Sequence, residues 1–376
     1  MLSSRLRVAS PASFAIALSV ACSEPPSGGV VPPAGMAGSS PGASGMPAAG
    51  GAGGTGSAAG GASSGGTSSP TPSGGAGGVG GGASVAGQGG AAAGSAGGPA
   101  GNFQFEGGAL AAVTLTYDDG LDPHLATVQP QLEAAGLHGT FFLSNFEGTD
   151  HRWALPNANP AQALTPRHLA WQQAGQKGHE LASHTVNHPC NSASKAPSYK
   201  LTDYDMARME AELDDSLARL MRLGATAPMT FAYPCSSDTV GLGAAGTDYS
   251  PLVAPRFLAA RVSKGGIADP ASVDLLHVPQ RDAGKKSGDE LKAMVDEAIA
   301  ARGWLVVLFH GVGENVDQDD ACPGDLVYAP ETCMINYLKT STAAHAALVS
   351  YLAEKKPQVW TATFKEVATH IKAKRP

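Results

Sequence analysis

Two adjacent carboxylates, Asp118 and Asp119, end the run "TYDDG" at residues 116–120, directly after the apolar stretch Leu110–Leu115. Two histidines four residues apart, His184 and His188, bracket "HTVNH", and His310 closes "GWLVVLFH". Each feature has a plain structural explanation. Asp and Gly suit tight turns, and paired histidines arise by chance in a chain with 11 of them. Together they suit hydrolytic chemistry. Two imidazoles at i and i+4 can reach one ion about 2 Å from each nitrogen, and one added carboxylate makes a three-ligand set with an open position. The second carboxylate is then free to accept a proton, and a third histidine can donate one.

These side chains act together only if the fold brings them to one place. "ALAAVTLTY", "GTFFL", "HELASHT", "MTFAY" and "GWLVVLFH" are short apolar runs rich in β-branched or aromatic residues, which predicts strands. Between them, Thr165-Pro166 opens a helix, Thr202–Leu223 has helical periodicity ending at Gly224, and Ser287–Arg302 and Thr342–Lys355 read as two more helices. Strands alternating with helices imply parallel pairing through right-handed crossovers, hence a (β/α) barrel or an open doubly wound sheet. Ligands of either architecture sit at the carboxyl ends of the strands. Asp118, Asp119, His184, His188 and His310 all fall at such ends.

Composition bounds the rest. The chain has 376 residues and a net charge of −7, with no basic excess for nucleic acid. Residues 25–101 hold most of the 49 glycines and contain no charged or aromatic residue. Such a segment buries too little apolar surface to offset its ordering entropy, so residues 22–101 are expected to form a disordered linker reaching roughly 50 Å. Residues 102–376 are expected to be the folded unit. Arg5 and Arg7 followed by the apolar Val8–Ala21 have the layout of a secretory signal over residues 1–21. "LSVAC" resembles a bacterial lipobox, which would lipidate Cys22 and leave an exported envelope lipoprotein; plain cleavage after Ala21 would secrete the protein. In an oxidising compartment, the remaining Cys190, Cys235, Cys322 and Cys333 form an even set for which two disulfides are the default. Zinc ligation by these four is the competing reading, and no C-x-x-C spacing supports it.

In order, "TYDDG", "SHTVNH", "TFAYPCS" and "LFHGV", followed by "TATFKEVATH", resemble the polysaccharide deacetylases of carbohydrate esterase family 4, the chitooligosaccharide deacetylase-like fold. The resemblance implies a distorted (β/α) barrel and a metal-dependent hydrolase that removes acetyl groups from sugars. Carried over by position, Asp118 is the general base, Asp119, His184 and His188 hold a divalent metal (Zn²⁺ first, with Co²⁺, Mn²⁺ or Ni²⁺ as options), and His310 is the general acid. Tyr233, Pro234, Cys235 and Leu308 would line the substrate and oxyanion region, with the Cys235 N–H as an oxyanion donor. If that fold holds, the loops carrying Cys190 and Cys235 meet at one rim, which predicts their disulfide and leaves Cys322 with Cys333.

Two departures from the family pattern stand out. Ala232 occupies the third-motif position where many members carry an Arg that holds the catalytic Asp; Arg261 or Arg281 would have to supply that charge from another strand. The D-x-x-D-W motif is missing, leaving Asp274 and Asp282 as candidates to tune His310. The reading is therefore an exported N-deacetylase of an acetylated polysaccharide or oligosaccharide. An O-acetyl esterase acting on a polymer such as acetyl xylan, or an inactive carbohydrate-binding domain of the same fold, is the alternative. Trp153, Trp171 and Tyr233 are aromatic rings that either stack on sugars or pack in the core.

Overall fold

The computed structural model describes residues 103–145, 154–190, 199–241, 246–262, 265–314 and 338–375. Cys22, Trp153, Cys322 and Cys333, with the signal and linker expectations, lie outside them. The described strands are β1 (Ala111–Asp118), β2 (Thr140–Leu143), β3 (Glu180–Ser183), β4 (Met229–Ala232), β5 (Thr239–Val240), β6 (Thr247–Asp248), β7 (Phe257–Val262), β8 (Val278–Pro279), β9 (Arg281–Asp282), β10 (Trp304–Phe309), β11 (Val312–Gly313), β12 (Thr340–Ser341) and β13 (Val359–Thr361). The helices are α1 (Gln129–Ala134), α2 (Pro166–Gln176), α3 (Met206–Arg222), α4 (Ser250–Val253), α5 (Gly288–Ala301), α6 (Thr342–Glu354) and α7 (Phe364–Lys374).

The main sheet runs β8-β7-β4-β3-β2-β1-β10-β9, with every pair parallel and β13 added beside β1. Its two ends, β8 and β9, are separated by Gln280 alone, so one extended stretch bridges β7 and β10 and makes the ring nearly closed. Of the two architectures that the alternation of elements allows, this is the barrel rather than the open sheet, in the distorted form that the family resemblance implies.

Side chains alternate across each strand. Along β1, Ala111, Val113, Leu115 and Tyr117 pack outward in a core with Leu291, Val295, Leu348 and Val349 of the helices. Ala112 faces inward with Phe142, Ala182, Ala232, Ala259, Trp304 and Val306. The period of two carries the inward column of β1 to Asp118, that of β3 to His184 just past its end, that of β7 to Arg261 and that of β10 to His310. Small and apolar residues therefore fill the middle of the barrel, and ionisable ones crown the carboxyl ends of its strands.

Local signals set the helix starts. Thr165 accepts from the His168 N–H in a capping box with Pro166 at the first helical position, and Ser287 does the same with Glu290. The third helix begins at Met206 rather than Thr202, because Asp205 caps it by accepting from the Arg208 N–H at 2.8 Å. Thr202 lies in the preceding short turn, Leu201–Asp203. The apolar runs picked out above omit Phe257–Val262, the strand that carries Arg261.

Candidate active site

Asp118, Asp119, His184 and His188 are all more than 90% buried at the carboxyl ends of β1 and β3. Ligand atoms of Asp119, His184 and His188 lie within 4.8 Å of one another. His188 Nε2 is 3.5 Å from Asp119 Oδ1, and His184 Nε2 is 3.9 Å from the same oxygen. The Nδ1 of His184 donates to the Ala232 carbonyl at 2.8 Å. That bond puts the ring proton on Nδ1 and turns a bare Nε2 toward the carboxylates, the orientation a metal ligand needs. Two imidazoles and a carboxylate converging in a buried pocket fit a divalent ion.

Asp118 has a different environment. Arg261 reaches both of its oxygens through one Nη2, at 2.5 and 2.6 Å, and is itself 3% exposed. Burial alone would push the Asp118 carboxyl up. The Arg261 guanidinium, then His184 and His310, outweigh burial and hold it below the usual carboxylate range. The register shows why this arginine fits: Ala232 on β4 is paired with Arg261 on β7. With only a methyl group at 232, the neighbouring strand's longer side chain crosses that place, its guanidinium carbon 4.8 Å over the Phe142 ring.

The backbone here is strained. Asp119, Thr185, His188, Cys235 and Ser236 are five of the eight described non-glycine residues with positive φ. Such conformations cost about 1–3 kcal/mol each and persist only where surrounding bonds over-determine them. Those bonds are present. Cys190 and Cys235 are joined in a disulfide with Cα atoms 5.8 Å apart, linking the segment after His188 to the segment after β4. His188 N–H donates to Thr185 Oγ1 at 3.0 Å. Gly120 also has positive φ, and a Cβ there would sit 2.6 Å from Ala154 Cβ, so the "DDG" turn requires glycine.

The other expected site residues fall as follows. His310 is half-buried at the end of β10, and its Nδ1 has no hydrogen-bond partner among the described residues. Asp274 and Asp282 do not reach it: Asp274 pairs with His277 Nδ1 at 2.7 Å, and Asp282 accepts from the Gly284 N–H. Arg281 pairs with Glu297 at 2.6 Å, away from Asp118. Both Arg281 and Asp282 lie on a seam strand two residues long and are thus corrected out of the supporting role. Tyr233 is 2% exposed, stacked on His277 with centroids 5.6 Å apart. Trp171 is fully buried, so both rings are core. Pro234 and Leu308 are buried, and Cys235 is exposed.

Two supporting residues were not read from the sequence. His124 is buried; its Nδ1 accepts from the Leu121 N–H at 3.2 Å, so Nε2 carries the proton and donates to the His310 carbonyl at 2.7 Å. Burial lowers its pKa to about 4, which keeps that neutral tautomer. Glu212 on α3 bonds the loop between His184 and His188. Its sequence signal was available: a charged residue on the buried face defined by Met209, Leu213, Ser216 and Leu220.

The rim of this parallel barrel gathers two carboxylates and two histidines at the carboxyl ends of β1 and β3. Residues 109–247 match the family model for polysaccharide deacetylase. Among solved structures it resembles a Mycobacterium smegmatis protein assigned to the polysaccharide deacetylases, at 15% identity over 72% of this chain and 93% of that one, with a TM-score of 0.45. It also resembles a family 4 carbohydrate esterase from Streptomyces lividans in complex with acetate (17% identity, 67% and 91% covered, TM-score 0.38). A family 4 acetyl xylan esterase from Clostridium thermocellum with a cobalt ion is similar too (16%, 69% and 90%, TM-score 0.39). No curated protein matches the chain. The family match ends before Arg261 and His310, whose interpretation rests on geometry.

Proposed function

We propose that the chain is a metal-dependent hydrolase that removes N-acetyl groups from an acetylated polysaccharide or oligosaccharide. The observation that carries this reading is the division of labour between adjacent carboxylates: Asp119 faces two histidine nitrogens, while Asp118 is held by Arg261 and lies 3.5 Å from His184. A divalent ion held by Asp119, His184 and His188, with Zn²⁺ best suited to two imidazoles and a carboxylate, supplies Lewis acidity that polarises an acyl carbonyl and acidifies water. Asp118, kept ionised by Arg261, accepts the proton of the attacking water as its oxygen bonds to the acetyl carbon. The C–N bond breaks, His310 gives the nitrogen its proton, and acetate and a free amine leave. Of the backbone donors at the rim, the Cys235 N–H is assigned to the developing oxyanion.

The same reading has the folded unit exported by residues 1–21 and preceded by a linker over residues 22–101, either anchored through a lipid on Cys22 or secreted after cleavage at Ala21. It is supported by the sequence layout and by the Cys190–Cys235 disulfide, a bond that persists in oxidising compartments. Acetate release from chitin oligomers, acetylated xylan and peptidoglycan, each with and without a chelator, tests the function. We expect chelator-sensitive release from an N-acetylated substrate. Release from xylan alone would make the protein an O-acetyl esterase, and no release from any would leave a binding domain.

A further inference from the structure

We propose that Glu212 is a positioning residue that shapes the loop carrying His188 before any ion binds; the proposal rests on the hydrolase reading above. Glu212 is 6% exposed and projects from the middle of α3. Its Oε2 accepts from the backbone N–H groups of Val186 and Asn187, at 3.0 and 3.1 Å. Its Oε1 accepts from Asn187 Nδ2 at 2.6 Å and from the Tyr204 hydroxyl at 2.9 Å. One carboxylate thus satisfies two consecutive amides at the centre of the stretch between the two histidines. Thr185 and His188, which flank those amides, are the two residues of the loop with positive φ.

The loop is held from other sides as well. The Asn145 N–H donates to the Val186 carbonyl at 2.7 Å, and the Cys190–Cys235 bond fixes its far end. These restraints set where the loop runs. They do not satisfy the Val186 and Asn187 amides, which among the described residues are paired by Glu212. Without that carboxylate, one buried and one half-buried donor would be left unpaired, and the loop would rotate to find other partners and carry His188 with it. Groups that orient ligands in this indirect way change metal affinity by about 10–100-fold when removed.

Three measurements on the full folded chain decide the matter: amide hydrogen exchange of the apoprotein, Zn²⁺ affinity by competition with a chromophoric chelator, and the apoprotein Tm. In the wild-type apoprotein, the Val186 and Asn187 amides should exchange slowly. Glu212→Ala should lose that protection and bind Zn²⁺ about 10–100-fold more weakly. Glu212→Gln, which can accept on one side only, should fall between them. Tyr204→Phe removes a donor outside the loop, so it should lower Tm and leave affinity within twofold. A purely structural Glu212 would lower Tm in the Gln variant while sparing affinity, and that outcome overturns the proposal. Unprotected amides in the wild-type apoprotein overturn it even if Glu212→Ala does not fold. A wild-type protein that takes up no Zn²⁺ would instead defeat the hydrolase reading, with amide protection still reporting on Glu212 separately.

Discussion

Two buried carboxylates face the inside of the barrel at opposite ends, Asp118 as the last residue of β1 and Glu180 as the first of β3. Their surroundings differ in kind. Asp118 has a guanidinium on both oxygens, and the positive partners outweigh burial. Burial prevails at Glu180 and raises its pKa, against neutral donors, the Thr230 hydroxyl at 2.5 Å, the Lys365 N–H at 2.9 Å and the Thr140 hydroxyl at 2.9 Å, and a weaker pull from the Lys365 charge. An acid that must be ionised to work is given a buried counter-ion. An acid that ties β2, β3, β4 and the start of α7 together needs hydrogen bonds and no charge. The strain follows the same division, since positive φ values gather around Asp119, His188 and Cys235 at the working end.

The largest effect expected from breaking this contrast is on turnover. Asp118→Asn keeps the shape and removes the base, so kcat/KM should fall about 10³-fold. Metal content by elemental analysis should stay at the wild-type level, because Asp118 is outside the three-ligand group. Glu180→Gln, the matching change at the other end, should leave kcat/KM within about threefold. Metal loss in Asp118→Asn would mean that the two adjacent carboxylates have exchanged roles.

A smaller effect comes from removing the counter-ion. Arg261→Leu strands a buried carboxylate, and breaking such pairs costs about 3–5 kcal/mol. Denaturant unfolding should show a loss of that size, with kcat/KM down about 10²-fold as Asp118 loses its orientation. The register offers a sharper version. Because Ala232 and Arg261 are paired across β4 and β7, Ala232→Arg in an Arg261→Ala background should recover stability and part of the activity. A double variant no better than Arg261→Ala would show that the guanidinium must come from β7.

How much of this was legible in the chain depends on whether a residue's partner lies along its own strand or across the sheet. Asp118, Asp119, His184 and His310 were readable because each ends an apolar run, and strand ends are where barrels place ligands. The choice between Arg261 and Arg281 was not. It depends on register between strands, and the sequence carries no local mark of which residue faces Ala232. The Cys190–Cys235 pairing followed from placing two loops on one rim. Neither candidate among the described residues supplies His310 with an acid, since Asp274 is engaged by His277 and Asp282 by its own turn. Glu180 and Glu212 were passed over because charged residues in a strand or helix are read as solvated unless their position on the buried face is weighed.

The smallest expected effect is also the one that isolates the contrast, because it depends on pH. The folded-state pKa of Glu180 is raised above its unfolded value. Its contribution to stability is therefore fully present below the unfolded value, near 4.3, and is lost as pH rises through the folded one. Asp118 has the opposite sign: its folded pKa is lowered, so its contribution is present above the unfolded value and lost as pH falls. Glu180→Gln keeps the size of the side chain and stays neutral, with the Thr230 hydroxyl free to rotate from donor to acceptor. At pH 4 the variant and wild type should differ little. As pH rises from there, wild type loses the Glu180 contribution and the variant does not, so Tm of the variant minus Tm of wild type should increase with pH. Each unit of raised pKa corresponds to about 1.4 kcal/mol, or about 2–4 °C in Tm for a domain of this size. Thermal unfolding of both proteins from pH 4 to 8, with chelator present so that metal uptake does not contribute, provides the comparison. A Tm difference that is flat or falls with pH would mean that Glu180 is ionised at ordinary carboxylate pH in the fold, and the two ends of the barrel would then treat charge alike.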